Sequence, residues 1–185
     1  MTDDGVTRGG GADSGVAIGG LVTPVGRLSV AVSGIGLVAV RWGDIPAATR
    51  WPVVDDPDRL RPALDQLTAY FAGRLRTFTL PLDLSGLGRS PRLVLQTLFE
   101  QVGFGTSITY GQLAHRSGTG VPARGIGAIM GANPIPIVVP CHRVLAANGL
   151  GGYSGGRSGE GLATKRWLLT MEGVLQPTLD WASAT

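Results

Sequence analysis

One cysteine, one lysine and two histidines in 185 residues close off several classes of protein before any motif is read. A single thiol, Cys141, cannot make an internal disulfide, and with His115 and His142 as the only imidazoles there is no Cys/His cluster from which to build a structural zinc site. A reducing, cytoplasmic setting fits this cysteine usage, and no metal or cofactor is implied. Long apolar runs are missing as well. The N-terminal stretch MTDDGVTRGGGADSGVAIGG has neither the charged n-region nor the apolar h-region of a signal peptide, and no segment approaches transmembrane length, so no membrane partner is expected. Strong charge of one sign is absent too: a net charge of +3 and a pI near 9.6 permit an anionic partner without requiring one. All basic residues but Lys165 are arginine, a pattern that codon bias alone can produce.

What is present is a globular chain, 43% hydrophobic, with enough length for one good core or two small ones. Residues 1–15, polar and glycine-rich, read as a disordered tail, and 176–185 as a C-terminal tail. Between them the pattern is α+β. From 16 to 86 the segments VAIGGLVTPVGRLSVAVSG and GLVAVRWGD, broken by turn signals at Pro24-Val25-Gly26 and Ser33-Gly34, predict antiparallel hairpin strands. The stretch DRLRPALDQLTAYFAGRL then carries Leu60, Leu64, Leu67, Tyr70 and Phe71 at helical spacing, with Gly73 as a stop. TFTLPLDLSG reads as an extended edge segment, because Pro81 has no hydrogen to donate to a ladder.

From 87 to 175 the chain turns mainly helical. Pro91 suits the first turn of a helix whose Leu93, Leu95, Leu98, Phe99 and Val102 form an apolar stripe. Thr109 and Gln112 fit a capping box, so a short helix should begin just after Thr109. Another should follow the Gly118-Thr119-Gly120 turn, with Pro122 in its first turn, and run to about Gly131. Helix, tight turn, helix is the layout of a helix-turn-helix, and the small residues Ala123, Gly125, Gly127 and Ala128 would let the second helix lie close to DNA or, equally, against its own domain.

A lone cysteine after IVVP is by default a small core residue. Its neighbours argue otherwise: Pro140 ends the extended run, so Cys141 lies at a turn, with His142 and Arg143 directly behind it. An imidazole oriented toward the sulfur would raise the thiolate fraction, but adjacent side chains on a strand point to opposite faces, so the coupling needs a turn or a bridging water. His115 reads as a partly exposed helix residue.

Pro140-Cys141-His142-Arg143-Val144 resembles the active-site motif of the O6-alkylguanine-DNA alkyltransferases, also called methylated-DNA-protein-cysteine methyltransferases. ITYGQLA resembles that family's tyrosine-bearing helix, ARGIGAIMGANPIPIVV its recognition helix and asparagine loop, and GYSGG and KRWLLTMEG its binding-loop and closing-helix motifs. TPVGRLSVAVSGIGLVAV and YFAGRLRTFTLPLDL look like the bacterial members' sheet domain, which is ribonuclease H-like. The likeness runs from about Leu21 to Gly173. Three stretches depart from it: SPRLVL before the first C-terminal helix, Ile129 where an alanine is usual, and an apparent insertion from Arg157 to Gly161, expected to be a mobile loop.

The resemblance implies a DNA-repair protein that moves an alkyl group from O6-alkylguanine in double-stranded DNA to Cys141. The resulting thioether is not reversed, so each molecule acts once. It implies that His142 serves through a water as base for Cys141, that Glu172 holds the imidazole, and that Tyr110 gives a proton to the departing guanine. Without the family, Glu172 would read as a solvated helix-end carboxylate. Ser154, Val144, Asn133, Tyr153, Pro136 and Met130 are implied around the substrate, with Asn133 holding the turn through its side chain. Arg124, Ala123, Gly125, Gly127 and Arg143 are implied at DNA, Arg124 filling the gap left by a flipped base as the helix-turn-helix docks in the minor groove. A monomer is expected, with cooperativity along DNA left open. A non-catalytic damage sensor would lack the cysteine, a cysteine hydrolase would need a second, distant histidine, and a plain helix-turn-helix regulator would not account for PCHR.

Overall fold

The computed structural model describes residues 15–46, 51–156 and 159–177. The tails expected at either end lie outside these residues except for Gly15 and residues 176 and 177. Gly15 is packed: its carbonyl accepts from Arg59 Nη1 at 3.1 Å.

Strands β1 (Val16–Thr23), β2 (Gly26–Val32) and β3 (Leu37–Trp42) form the expected antiparallel meander, and a short β4 (Val53–Val54) adds in parallel beside β1, giving the order β3-β2-β1-β4. The β1–β2 turn closes where Thr23 Oγ1 donates to the Gly26 carbonyl at 2.6 Å. Both faces of the sheet are covered, which is why these strands read as continuous apolar runs and not as strict alternation. Leu28, Val30 and Val40 face the main core, while Val16, Ala31, Val38 and Ala39 make a smaller cluster with Ile45 and Trp51 on the other face.

Helix α1 (Pro57–Phe71) starts at Asp56, whose carboxylate caps Arg59 N at 3.0 Å, with Pro57 preset for the first turn. The chain leaves it through Gly73 at φ +70°, the stop expected from the sequence. The segment after it runs extended alongside β3, where Leu37 N donates to the Pro81 carbonyl at 2.8 Å and Asp83 N donates back to Leu37 at 2.9 Å.

The second half holds α2 (Arg89–Gln101), β5 (Ile108–Thr109), α3 (Tyr110–Ser117), α4 (Ala123–Gly131), β6 (Val144–Leu145) and α5 (Gly161–Met171). The capping box at Thr109 is formed in full, and Pro122 is the N-cap of α4, one position ahead of the expected first turn. One hydrophobic cluster runs from Leu28 through Leu67 and Tyr70 to Leu98, Ile126 and Leu168, so the two halves share a core. No described helix is long and apolar enough to cross a membrane.

Candidate active site

The segment around Cys141 is shaped by three local devices. Asn133 ties its entrance: its amide Nδ2 donates to the Val139 carbonyl at 2.9 Å while its Oδ1 accepts from Ile135 N at 3.0 Å. Within that loop Ile137 sits at φ +76°, a conformation that costs a β-branched residue about 1–3 kcal/mol and that the Asn133 bonds help to hold. At Pro140 (φ −82°, ψ 64°) the chain makes an inverse γ-turn, with Cys141 N donating to Val139 at 2.8 Å, and residues Cys141–Arg143 then wind into one 3₁₀ turn. The turn that the sequence required is therefore present, and Cys141 and His142 do not alternate as they would on a strand. On leaving it, β6 pairs in parallel with β5, Ile108 with Val144 and Thr109 with Leu145. That pairing, not foreseen from the sequence, bolts the start of α3, and hence Tyr110, to the exit of the cysteine turn.

Below Cys141 lies a buried carboxylate. Glu172, at the C-terminal end of α5, is 4% exposed and not solvated. Its Oε1 accepts from His142 Nε2 at 2.9 Å, from Arg143 Nη2 at 2.9 Å and from the Tyr70 hydroxyl at 2.6 Å, and its Oε2 accepts from Arg143 Nε at 2.8 Å. Burial alone would push this carboxyl up, but the bonds and charges of His142 and Arg143 outweigh it and bring it from its ordinary 4.5 down to about 2. An ionised carboxylate only accepts, so Nε2 of His142 carries a hydrogen and Nδ1 is the free lone pair. Nδ1 is buried without a protein partner among the described residues. Burial keeps the imidazole neutral by lowering its pKa, against the pull of Glu172.

The thiol itself is 5% exposed. Burial raises its pKa from the ordinary value, opposed by the Asn133 amide and the charge of Lys165. At rest Cys141 is thus a neutral thiol that needs a base, not a preformed thiolate.

Above it opens a cavity of about 770 Å³ that holds Tyr110, Arg124, Met130, Cys141, Tyr153 and Ser154 in its wall. Tyr110 is the first residue of α3, and its hydroxyl donates weakly to the Gly152 carbonyl at 3.5 Å. Burial and then the nearby Cys141 raise its pKa, so the phenol keeps its proton. Gly151 makes this approach possible: it sits at φ +69°, and a Cβ there would lie 2.9 Å from the Tyr110 ring. Ser154 Oγ donates to the Gly131 carbonyl at 3.2 Å, and Ala123 and Arg124 are exposed at the N-terminus of α4, with Gly127 on the cavity side.

Arg143, Gly125, Val144 and Pro136, expected at DNA or around the substrate, do not line this cavity. Arg143 is not on the DNA-facing surface: it is 4% exposed, paired with Glu172, and its Nη1 donates to the Val102 carbonyl at 2.7 Å. Gly125 faces the turn before α4, where a Cβ would lie 2.6 Å from Val121, so its small size serves packing. Val144 is buried with its carbonyl taken by Lys165 Nζ at 2.7 Å. Pro136 lines a neighbouring cavity of about 510 Å³ that reaches Cys141 from the β3 side. Of the apparent insertion, Arg157 and Ser158 lie outside the described residues, whereas Gly161 opens α5 and would clash with the Tyr153 carbonyl if it carried a Cβ.

Two residues were missed. Lys165, the lone lysine, is fully buried with its ammonium between the carbonyls of Val144 and Gly152, and burial brings its pKa from the ordinary 10.5 down to about 8, against the opposite pull of Cys141 in its thiolate form. Its being the single lysine was the available signal. Tyr70 from α1 is the other; on sequence it is one more core position of an amphipathic helix. The sheet half reaches the site at a second point, where Trp42 of β3 packs edge-on against Tyr153 with centroids 6.1 Å apart.

Residues 19–84 match the family model described as 6-O-methylguanine DNA methyltransferase, ribonuclease-like domain, and residues 91–174 match 6-O-methylguanine DNA methyltransferase, DNA binding domain. A methylated-DNA–protein-cysteine methyltransferase of Mycobacterium tuberculosis is 39% identical over 154 residues, covering 81% of this chain and 88% of that protein. One from Cricetulus griseus is 40% identical over 126 residues, covering 65% of this chain and 58% of that protein. Among solved structures, Mycobacterium tuberculosis OGT in complex with DNA superimposes with a TM-score of 0.71 at 37% identity, over 85% of this chain and 93% of that one. The O6-methylguanine-DNA methyltransferase of Pyrococcus kodakaraensis, at a TM-score of 0.58 and 24% identity over 86% of this chain and 99% of that one, shares the fold.

Proposed function

The chain belongs to the 6-O-methylguanine DNA methyltransferase family, whose activity is DNA repair by transfer of a methyl group from DNA to a protein cysteine, and on that premise we propose which residues perform it here. One observation carries the assignment. The acceptor must be a cysteine, the chain has only Cys141, and Cys141 lines the 770 Å³ cavity and is followed in the same 3₁₀ turn by His142, which pairs with the buried Glu172.

In this reading the substrate is O6-alkylguanine in duplex DNA. The Cys141 thiol proton passes through a water to Nδ1 of His142, the one buried lone pair on that ring left without a protein partner. Glu172 stabilises the imidazolium that forms. Sγ then displaces guanine at the alkyl carbon: the S–C bond forms, the C–O6 bond breaks, and the electron pair leaves with the base. Tyr110, whose phenol stays protonated, supplies the proton that makes guanine a competent leaving group. Ser154 hydrogen-bonds O6, and Tyr153 and Met130 wall the alkyl group. The product is a thioether, so one molecule repairs one lesion.

A base inside a duplex cannot reach Cys141, and flipping it out is the step assigned to Arg124, exposed at the rim of the cavity. Helices α3 and α4 act as a helix-turn-helix in the minor groove, with Ala123 and Gly127 allowing close approach. The boundary near 86/87 separates a buttressing sheet half from the half that binds DNA and reacts.

The test is incubation with duplex DNA carrying a labelled O6-methyl group. One label per protein, lost in Cys141→Ser while lesion binding persists, is the expected result. Stoichiometric labelling of Cys141→Ser would rule out Cys141 as acceptor, and multiple turnovers would point to hydrolysis.

A further inference from the structure

Tyr70 lies one residue from the C-terminal end of α1 and is fully buried. Its ring is boxed by Phe71, Phe78 and Phe104 at centroid distances of 5.2, 5.3 and 6.3 Å. From the ring so held, the hydroxyl donates to Glu172 Oε1 at 2.6 Å across 102 residues of sequence. We propose that Tyr70 is a positioning residue for alkyl transfer, which sets through Glu172 the hydrogen bond that orients and tunes the His142 ring. This rests on the reading of His142 as the proton acceptor for Cys141.

A phenol in a box of aromatic rings is costly to bury unless its hydroxyl is bonded, and Glu172 is the bond it makes. The Oε1 atom it binds is the one that receives the His142 ring N–H, so Tyr70 and His142 draw on the same negative charge. Arg143 already fixes the carboxylate through both oxygens, so the location of Glu172 does not depend on Tyr70. What Tyr70 controls is how much charge Oε1 has left for the imidazole. The charged and titratable groups that act on His142 are Glu172 and Lys165 from the α5 segment and Arg143 from its own turn, with Cys141 adjacent in the chain and, through Glu172, Tyr70 from α1 and Tyr153 from the loop before α5. Of these Glu172 is the one that favours the imidazolium, and Tyr70 weakens that preference. Removing the hydroxyl therefore strengthens the ring bond, and His142 takes up a proton at higher pH. A more acidic phenol does the reverse.

The experiment is the rate of single-turnover transfer from methylated duplex to Cys141 as a function of pH, with the full chain. Failure of the parent to transfer at all would defeat the assigned function; the Tyr70 proposal is decided by differences between profiles. In Tyr70→Phe the acid limb should move up by about half a pH unit, with a plateau within several-fold of the parent. Fluorotyrosine placed at position 70 should move it down. Phe78→Leu, which loosens the same aromatic box, should lower the melting temperature and leave the midpoint in place. Coincident profiles for the parent and Tyr70→Phe, or an equal displacement in Phe78→Leu, would overturn the proposal. If Tyr70→Phe does not fold, the fluorotyrosine protein decides alone, an unmoved midpoint counting against it.

Discussion

In the buried network behind Cys141, the floor of the site, Glu172 accepts four hydrogen bonds from three residues, all between 2.6 and 2.9 Å, whereas on the rim of the cavity Tyr110 makes one bond at 3.5 Å, Ser154 one at 3.2 Å, and Arg124 stands exposed. The floor is a buried network closed on one carboxylate, and in a low-dielectric interior such a network holds because the charge of Glu172 is met by donors from three residues, His142 Nδ1 being left over. On the proposed function the rim meets DNA and a flipped base, and its donors are correspondingly weakly bonded or exposed. Two arginines expected at DNA make the contrast concrete. Arg143 spends its guanidinium on Glu172 and Val102 inside the protein; Arg124 has its own still to spend.

The largest effect should come from breaking the floor. Arg143→Ala removes two bonds from a buried carboxylate and one from a buried carbonyl, and denaturant unfolding should report a loss of about 3–5 kcal/mol. Arg124→Ala should lie within about 0.5 kcal/mol of the parent. A comparable loss in both would erase the distinction between floor and rim.

The pH dependence of stability sharpens the same comparison. Because the folded value of Glu172 lies below its ordinary 4.5, the network contributes in full above about 4.5 and is lost as the pH falls toward about 2. The size of that contribution is about 3 kcal/mol. Glu172→Gln should be less stable at neutral pH yet lose less stability across that window, whereas Arg124→Ala should follow the parent curve; a Glu172→Gln curve parallel to the parent's would contradict the assignment.

A smaller effect is expected where floor and rim meet. Gly151→Ala puts a methyl group against Tyr110 at a positive φ, which should cost about 1–2 kcal/mol and slow transfer by displacing the phenol. Unchanged rate and stability would mean that the Tyr110–Gly151 contact has no consequence. Smallest is the rim's electrostatic share. Arg124→Ala should reduce the salt dependence of duplex binding by about one in log–log slope, while a free alkylated base reacts at the parental rate. Equal slowing on duplex and free base would assign Arg124 to chemistry or folding instead.

Short-range features were largely legible in advance. The turn between β1 and β2, the stop at Gly73, the capping box at Thr109 and the turn at Pro140 each depend on residues within four positions of one another, and each was found. The identity of the nucleophile was legible for a simpler reason, since there is one thiol. The two-residue strands β4, β5 and β6 were not, because so short a run carries no periodicity and exists only through its partner.

By itself, then, the sequence determined the local conformations, the order of the elements and the residue that can be alkylated, because those follow from propensity, pattern and composition. Only the tertiary structure decided that Arg143 points inward, that Lys165 is buried between two carbonyls, and that Tyr70 meets Glu172 from 102 residues away. It also decided that the thiol rests neutral and the carboxylate ionised. The physical reason is common to all of these: which charges are desolvated, and what is left to pair with them, is a property of the closed core and of contacts across the chain, to which no residue's own neighbours in sequence give access.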